Sequence, residues 1–450
     1  MNNIESVQDA PRTGKPALDS VYDLVTGDED ARVCKDIPAE SCNDQPRNFF
    51  AYLGANLLTK VADELASAKL ILPWLMGFLG APTALVGLLV PIREAGVLVP
   101  QLAVAAYIRR LPLRNGVWLL GALLSAAALG LMALVAGTLD GAAAGWAIIA
   151  ALVVFSLARG LCSVSAKDVL GKTVSKARRG NLMGLAAGVA GVLTLGLGLY
   201  LSVAAGTGAD ATVFVVLLGG GALLFVIAAV IFRLIREQPG ATEGGGNALQ
   251  TALESIGLLR TDPVFRQFVL VRVALLSVAL APPFYVLLAQ QASGGDLSDL
   301  GTLIIASGLA SSLSAPLWGR LSDRSSRLVM VLSALLAGLL GVLTWGLVYL
   351  DAGILGHGLG FAGLYLLLGI AHAGVRLGRK VYLVDMASSD TRAAMVAVSN
   401  TVIGIAMLAG GLIGVLGDLY GAAAVILLLG VAAVAAGLYA LGLREVSEPD

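Results

Sequence analysis

Apolar residues in this chain come in long unbroken runs, not in alternation. Val331 to Leu350, Thr212 to Phe232 and Gly421 to Leu443 contain no charged residue. Runs of about 18 or more apolar residues read as membrane-spanning helices, since about 20 residues at a rise of ~1.5 Å cross the hydrocarbon core. Glycine, proline and charge clusters divide the runs. The predicted spans, numbered 1 to 12, are 49–73, 82–107, 116–138, 142–165, 180–205, 211–234, 264–290, 297–319, 327–350, 358–384, 393–417 and 420–443. The one long interruption, Arg233 to Asp262, holds Gly244-Gly245-Gly246 and a short helical candidate from Ala248 to Arg260. The expected fold class is therefore an all-α membrane protein. Twelve transmembrane helices form two six-helix halves, 49–234 and 264–443, joined by a cytoplasmic linker at 235–263.

Composition agrees. The hydrophobic fraction is 57%, the charged fraction 13% and the mean hydropathy +0.86, where soluble domains carry about 25% charge. Thirty basic and thirty acidic residues leave no net charge, which speaks against a nucleic-acid partner. The N-terminal stretch 1–48 is polar, with the acidic run Asp28-Glu29-Asp30 and no signal-like apolar core. It reads as a mostly disordered cytoplasmic tail in which Leu18 to Val25 forms a helical turn or two. Residues 444–450 make a short cytoplasmic tail. Cys34 and Cys42 in the tail and Cys162 in span 4 suggest neither a metal site nor a disulfide framework.

Lys and Arg set the orientation, because cytoplasmic loops are enriched in them. Alternate loops carry Arg109, Arg110 and Arg114; Lys167, Lys172, Lys176, Arg178 and Arg179; Arg233, Arg236, Arg260 and Arg266; Arg320, Arg324 and Arg327; and Arg376, Arg379, Lys380 and Arg392. The intervening loops have no Lys or Arg and hold Asp140, Asp210, Asp296, Asp299, Asp351 and Asp418. Both termini are thus expected in the cytoplasm.

A charge at a helix centre costs ~2.5–3.5 kcal/mol on insertion scales, so each one needs a reason. Spans 3, 6, 9 and 12 have none in their apolar stretches, and neither do spans 5, 8 and 11. The charged positions are Lys60, Asp63, Glu64 and Lys69 in span 1, Arg93 and Glu94 in span 2, Arg159 in span 4, Arg272 in span 7, and His372 and Arg376 in span 10. Spans 1, 4, 7 and 10 are the first members of successive triplets, the pattern of a three-helix repeat around a midplane site.

After span 8 the chain reads Gly319-Arg320-Leu321-Ser322-Asp323-Arg324-Ser325-Ser326-Arg327. This resembles the loop motif of the major facilitator superfamily, where it joins helices 8 and 9. In that family the glycine allows close approach and the Asp pairs with an Arg or caps a neighbouring helix, holding one face closed. Gly319, Asp323, Arg324 and Arg327 are gating-loop candidates on this resemblance. The matching position in the first half is Arg109, so the acidic member is missing there. Arg159-Gly160 is similar to a shortened helix-4 arginine motif of the family, and Arg159 joins the gating candidates. Arg179-Gly180 with Met183-Gly184 resembles the start of helix 5, where Gly184, Gly188 and Gly191 have the spacing for tight packing. Val189 stands where the efflux subgroup has proline, which speaks against a drug antiporter.

The mid-membrane charges are the candidates for proton coupling or substrate binding: Lys60, Asp63, Glu64, Arg93, Glu94, Arg272, His372 and Arg376. Asn56, Lys60, Asp63, Glu64 and Ser67 share one broad face of span 1. Lys60, Asp63, Glu64, Arg93 and Glu94 sum to two positive and three negative charges, and one shared proton neutralises them. A salt-bridge network fixing spans 1 and 2 accounts for the same residues. Arg159 can snorkel, Arg272 can answer an anion, Pro282-Pro283 must interrupt span 7, and Asn400 suits an interhelical hydrogen bond.

Enzyme motifs are absent. Gly171-Lys172-Thr173 lacks the earlier glycine of a nucleotide loop, having Ala166 there, and no HExxH or other metal cluster occurs. No cofactor or metal is expected. The expected function is a secondary active transporter moving a small solute across a bacterial cytoplasmic (inner) membrane by alternating access, coupled to protons, as a monomer. The alternatives are a non-transporting sensor or assembly factor, or an exporter of lipids or lipophiles.

Overall fold

The computed structural model describes residues 17–26, 37, 39–108, 110–204, 210–240, 257–356, 358–388 and 391–446. Arg109, the triple glycine of the linker and most of its helical candidate lie outside the described residues. The described residues contain helices and no strand. Helices occupy each predicted span position and are numbered as segments accordingly. Segment 1 is Gln45–Leu65 plus Ile71–Phe78, and segment 2 is Thr83–Leu98 plus Gln101–Ile108. Segments 3 to 6 are Asn115–Thr138, Gly141–Thr173, Lys176–Ala204 and Ala211–Phe232. Segment 7 is Pro263–Ala274, Leu276–Leu280 and Pro282–Ser293. Segments 8, 9 and 10 are Leu297–Ser322, Ser326–Tyr349 and Gly358–Met386. Segment 11 runs as Arg392–Gly410, a 3-10 turn Gly411–Ile413 and Gly414–Tyr420, and segment 12 is Ala422–Ala440.

Ten of these helices are long and apolar enough to cross a membrane. Segments 1 and 2 fall short by that measure, because charges and breaks divide them. Outward-facing side chains confirm a multi-pass membrane protein. Leu120, Leu123 and Leu134 on segment 3, Val216, Leu223 and Val230 on segment 6, Leu339 and Leu343 on segment 9, and Val431 and Leu438 on segment 12 are each at least half exposed. Such a belt suits lipid and not water. These are the segments whose apolar stretches lack charge.

Several helix starts are fixed by side-chain caps. Asp210 accepts the N–H of Thr212, Asp262 those of Val264 and Phe265, Asp296 that of Ser298, and Ser325 that of Leu328. Each satisfies a backbone donor that the helix itself leaves open. Segment 7 restarts at Pro282 and Pro283, where the missing N–H of proline is harmless.

Segment 1 breaks where the sequence predicted continuity. Pro73 has no N–H to bond the carbonyl of Lys69, four residues back, so the helix ending at Leu65 cannot run through. Leu72 bonds back to Ser67 instead at 3.0 Å. The freed Lys69 carbonyl accepts the hydroxyl of Tyr365 from the other half at 3.1 Å. In the tail, the helix Ala17–Thr26 lies against segment 1 through Tyr22, edge-on to Phe49 at 5.3 Å. Cys42 is disulfide-bonded, against the reading from cysteine spacing.

Candidate functional site

Charges predicted along spans 1, 2 and 4 meet in the N-terminal half. Asp63 receives Arg93 Nη2 at 3.1 Å on one oxygen and Arg159 Nη2 at 2.7 Å on the other. The side chains are only 17–23% exposed. Arg93 lies over Phe155 at 5.1 Å and Arg159 over Phe225 at 5.2 Å, which adds cation–π attraction where water is scarce. Arg159 therefore reaches inward to segment 1 instead of snorkelling. This is possible because segment 4 is a 33-residue helix continuing to Thr173, which leaves Arg159 well inside it.

A second group crosses between the halves. Lys69, in the break of segment 1, stands 3.7 Å from Glu94 and 3.1 Å from Nε2 of His372 on segment 10. Glu64 is exposed and has no ion-pair partner within contact distance among the described residues, yet it is in electrostatic range of Asp63, Lys69, Lys60 and Arg376. Arg376 is likewise exposed. Arg379, absent from the predicted site, is in electrostatic range of Glu94 and Arg376. Tyr365, His372, Arg376 and Arg379 recur at helical spacing and share one face of segment 10. That periodicity is the signal by which Tyr365 and Arg379 can be found in the sequence.

Arg272 stands apart. It is 6% exposed, donates to the Ser399 hydroxyl at 2.5 Å and to Asn400 Oδ1 at 3.4 Å, and lies 5.8 Å over Phe268. Asn400 thus bonds between helices, as its type suggested.

The halves seal against each other at one end, that of the loops without Lys or Arg. A Cβ on Gly87 of segment 2 would stand 2.7 Å from the Gly414 Cα of segment 11, and one on Gly301 of segment 8 would stand 2.6 Å from the Gly198 carbonyl of segment 5. Asp418 accepts the N–H groups of Thr83 at 2.6 Å and Ala84 at 3.2 Å, and Gln290 donates to the Trp74 carbonyl at 2.8 Å. Toward the other end segment 5 has no such contact: a Cβ on Gly184, Gly188 or Gly191 would meet nothing within 4 Å, so these glycines do not serve the tight packing expected of them. Leu309, Leu313 and Leu317 on segment 8 are exposed.

At that end each half fastens itself. Glu237, its side chain fully buried, accepts the N–H groups of Arg114 and Asn115 at 2.8 Å each and Lys172 at 3.0 Å. Arg114 and Lys172 also pair with Asp168. In the second half Glu445 takes the Ser325 hydroxyl at 2.5 Å and Arg327 at 3.3 Å. Both glutamates follow an arginine just past the last segment of their half, as Arg236-Glu237 and Arg444-Glu445. The first half thus has an acidic brace after all, supplied by Asp168 and Glu237 and not by the loop. Asp323 and Arg324 are exposed, and the Asp323 side chain has no hydrogen-bond or ion-pair partner among the described residues. A Cβ on Gly319 would also meet nothing within 4 Å.

Residues 273–450 match the model of the Major Facilitator Superfamily. A comparison with curated proteins gives no match. Among solved structures the chain is similar to a mutant of the nucleoside transporter NupG, with TM-score 0.71 and 12% identity over 88% of this chain and 99% of that one. It is similar to a D-xylose-proton symporter (TM-score 0.65, 13% identity, 88% and 97% covered). It is also similar to the peptide transporter POT in complex with sulfate (0.66, 13%, 92% and 98%). About nine-tenths of the chain shares the fold of these transporters, and residues 273–450 carry the sequence pattern of the Major Facilitator Superfamily.

Proposed function

We propose that this chain of the major facilitator fold is a secondary transporter that carries a small solute by alternating access, driven by protons. The observation that carries the reading is the asymmetry between its ends. The two halves touch through backbone-to-backbone glycine contacts at one end, the glycines of segment 5 toward the other end meet no neighbour, and charged groups from both halves meet between. With the Lys- and Arg-rich loops in the cytoplasm, the open end faces inward. The partnerless Asp323 fits this state, since in the family such a residue braces the cytoplasmic face when it is shut.

Proton coupling rests on Glu64, Glu94, Lys69 and His372. Asp63 is held by two arginines and is a structural anchor. Glu64 has no ion pair, and Glu94 shares Lys69 with an imidazole from the other half. Protonating Glu94 releases Lys69, the residue that also reaches His372 of the other half. That one solved neighbour is named a proton symporter supports the same reading.

The test is reconstitution into vesicles with an imposed pH gradient, a panel of solutes and an interior pH dye. Solute-dependent proton movement is the expected result. Solute flux insensitive to the gradient removes the coupling, and no flux for any solute leaves the non-transporting reading.

A further inference from the structure

We infer that the solute is a small organic anion, bound by arginines of the C-terminal half; this rests on the transport reading and narrows it. Segments 7 and 10 carry Arg272, Arg376 and Arg379. Segment 7 contains no carboxylate, segment 10 has only Asp385 near its end, and segment 11 has only Asp418, spent on the cap at the sealed end. The carboxylates of the N-terminal half are outnumbered by the cations around them. Asp63 is shared by Arg93 and Arg159, Glu94 pairs with Lys69 and has Arg379 and Arg376 in electrostatic range, and Glu64 has Lys69, Lys60 and Arg376 in range. Three guanidinium charges of the C-terminal half are left without a carboxylate at contact distance among the described residues.

Arg272 is the decisive member. It is more than nine-tenths buried, its polar partners among the described residues are the neutral Ser399 and Asn400, and its Nε has no partner among them. Burying an arginine without a counter-charge costs several kcal/mol, and such residues mark substrate pathways. Arg379 is in electrostatic range of Arg272, so the two repel until a negative group enters. Guanidinium forks suit a carboxylate or a phosphate, both planar or trigonal sets of oxygens that accept two bonds from one arginine. A cleft with one sign of charge also concentrates its ligand. The counting from the sequence gave one carboxylate in excess; the structure reverses the sign by bringing in Lys69, Arg159 and Arg379.

The experiment uses the full-length protein purified in detergent, with thermal unfolding read at constant ionic strength set by chloride. Probes are pairs that differ in charge: glycerol 3-phosphate and glycerol, glucuronate and glucose, benzoate and benzamide, together with inorganic phosphate and sulfate. At least one anion raises the unfolding midpoint, its neutral twin does not, and Arg272→Gln and Arg376→Gln each weaken the apparent affinity about tenfold or more. Arg376 is exposed and in no ion pair, so its variant tests binding even where Arg272→Gln folds poorly. Arg320→Gln, in the exposed last turn of segment 8, leaves binding unchanged. Equal stabilisation by a neutral twin, stabilisation by no anion, or binding that survives both variants overturns the inference. Anion binding without any flux in vesicles overturns the transport reading alone, and flux of neutral solutes only overturns this inference alone.

Discussion

The hydroxyl of Tyr365 donates to the carbonyl oxygen of Lys69, joining segment 10 of one half to the broken helix of the other at 3.1 Å. It supplies the bond that Pro73 removes. Tyr365→Phe leaves that carbonyl unsatisfied and costs about 1–2 kcal/mol. The expected outcome is a lower unfolding midpoint and weaker solute retention, with proton coupling intact. A variant as stable as the parent removes the bond from the account.

Asp63 holds two arginines, so losing it leaves both unpaired. Breaking a buried pair by removing one partner costs about 3–5 kcal/mol, and Asp63→Asn is expected near the lower bound because the group is partly wetted. Arg159→Gln leaves the Asp63–Arg93 pair complete and costs less. Denaturation in detergent measures both, and the reverse order contradicts the anchoring role.

Glutamine has the shape of a protonated glutamate without its charge. Glu94→Gln therefore mimics the protonated form and frees Lys69 permanently. Solute exchange at equal pH persists in this variant, while accumulation driven by a pH gradient disappears and the pH dependence of exchange flattens. Glu64→Gln gives the same split if Glu64 is the carrier, and vesicle uptake under both regimes distinguishes the two. Unchanged accumulation in both variants removes these carboxylates from coupling.

Backbone contact at the sealed end leaves no room for a side chain. Gly87→Leu forces segments 2 and 11 apart, and Asp418→Ala removes a cap worth about 1 kcal/mol, a shift of about fivefold in the balance between open and closed ends. A cysteine placed at Ala84 in a cysteine-free background reports this. Labelling by an impermeant maleimide from outside rises in both variants, more in Gly87→Leu. No change in labelling dissociates the glycine contact from closure.

Much of this was legible in the sequence. Long apolar runs located a helix at each predicted span position, though not the short helices of the tail and linker. Asp63, Arg93 and Glu94 were visible as charges that needed partners. A network between spans 1 and 2 was foreseen, but not Arg159 on Asp63 or His372 on Lys69, because these come from distant segments and only tertiary packing aligns them. The break at Ala66–Leu70 lay in a proline already present, Pro73, whose missing N–H acts four residues earlier. The spacing of Gly184, Gly188 and Gly191 misled, since small residues permit close approach but do not supply a partner. The twin Arg-Glu pairs at 236–237 and 444–445 were in plain view as an internal repeat, yet their role as clasps depends on where segments 3 and 9 begin.

Those clasps bear on the order of assembly during synthesis. Glu237 secures the start of segment 3 and the extended end of segment 4 using only residues that precede it. The first six segments are thus fastened before segment 7 leaves the ribosome, and the second six close on Glu445 only after segment 12 has been made. Each half is born as a finished body, and the surface between them is the last to form.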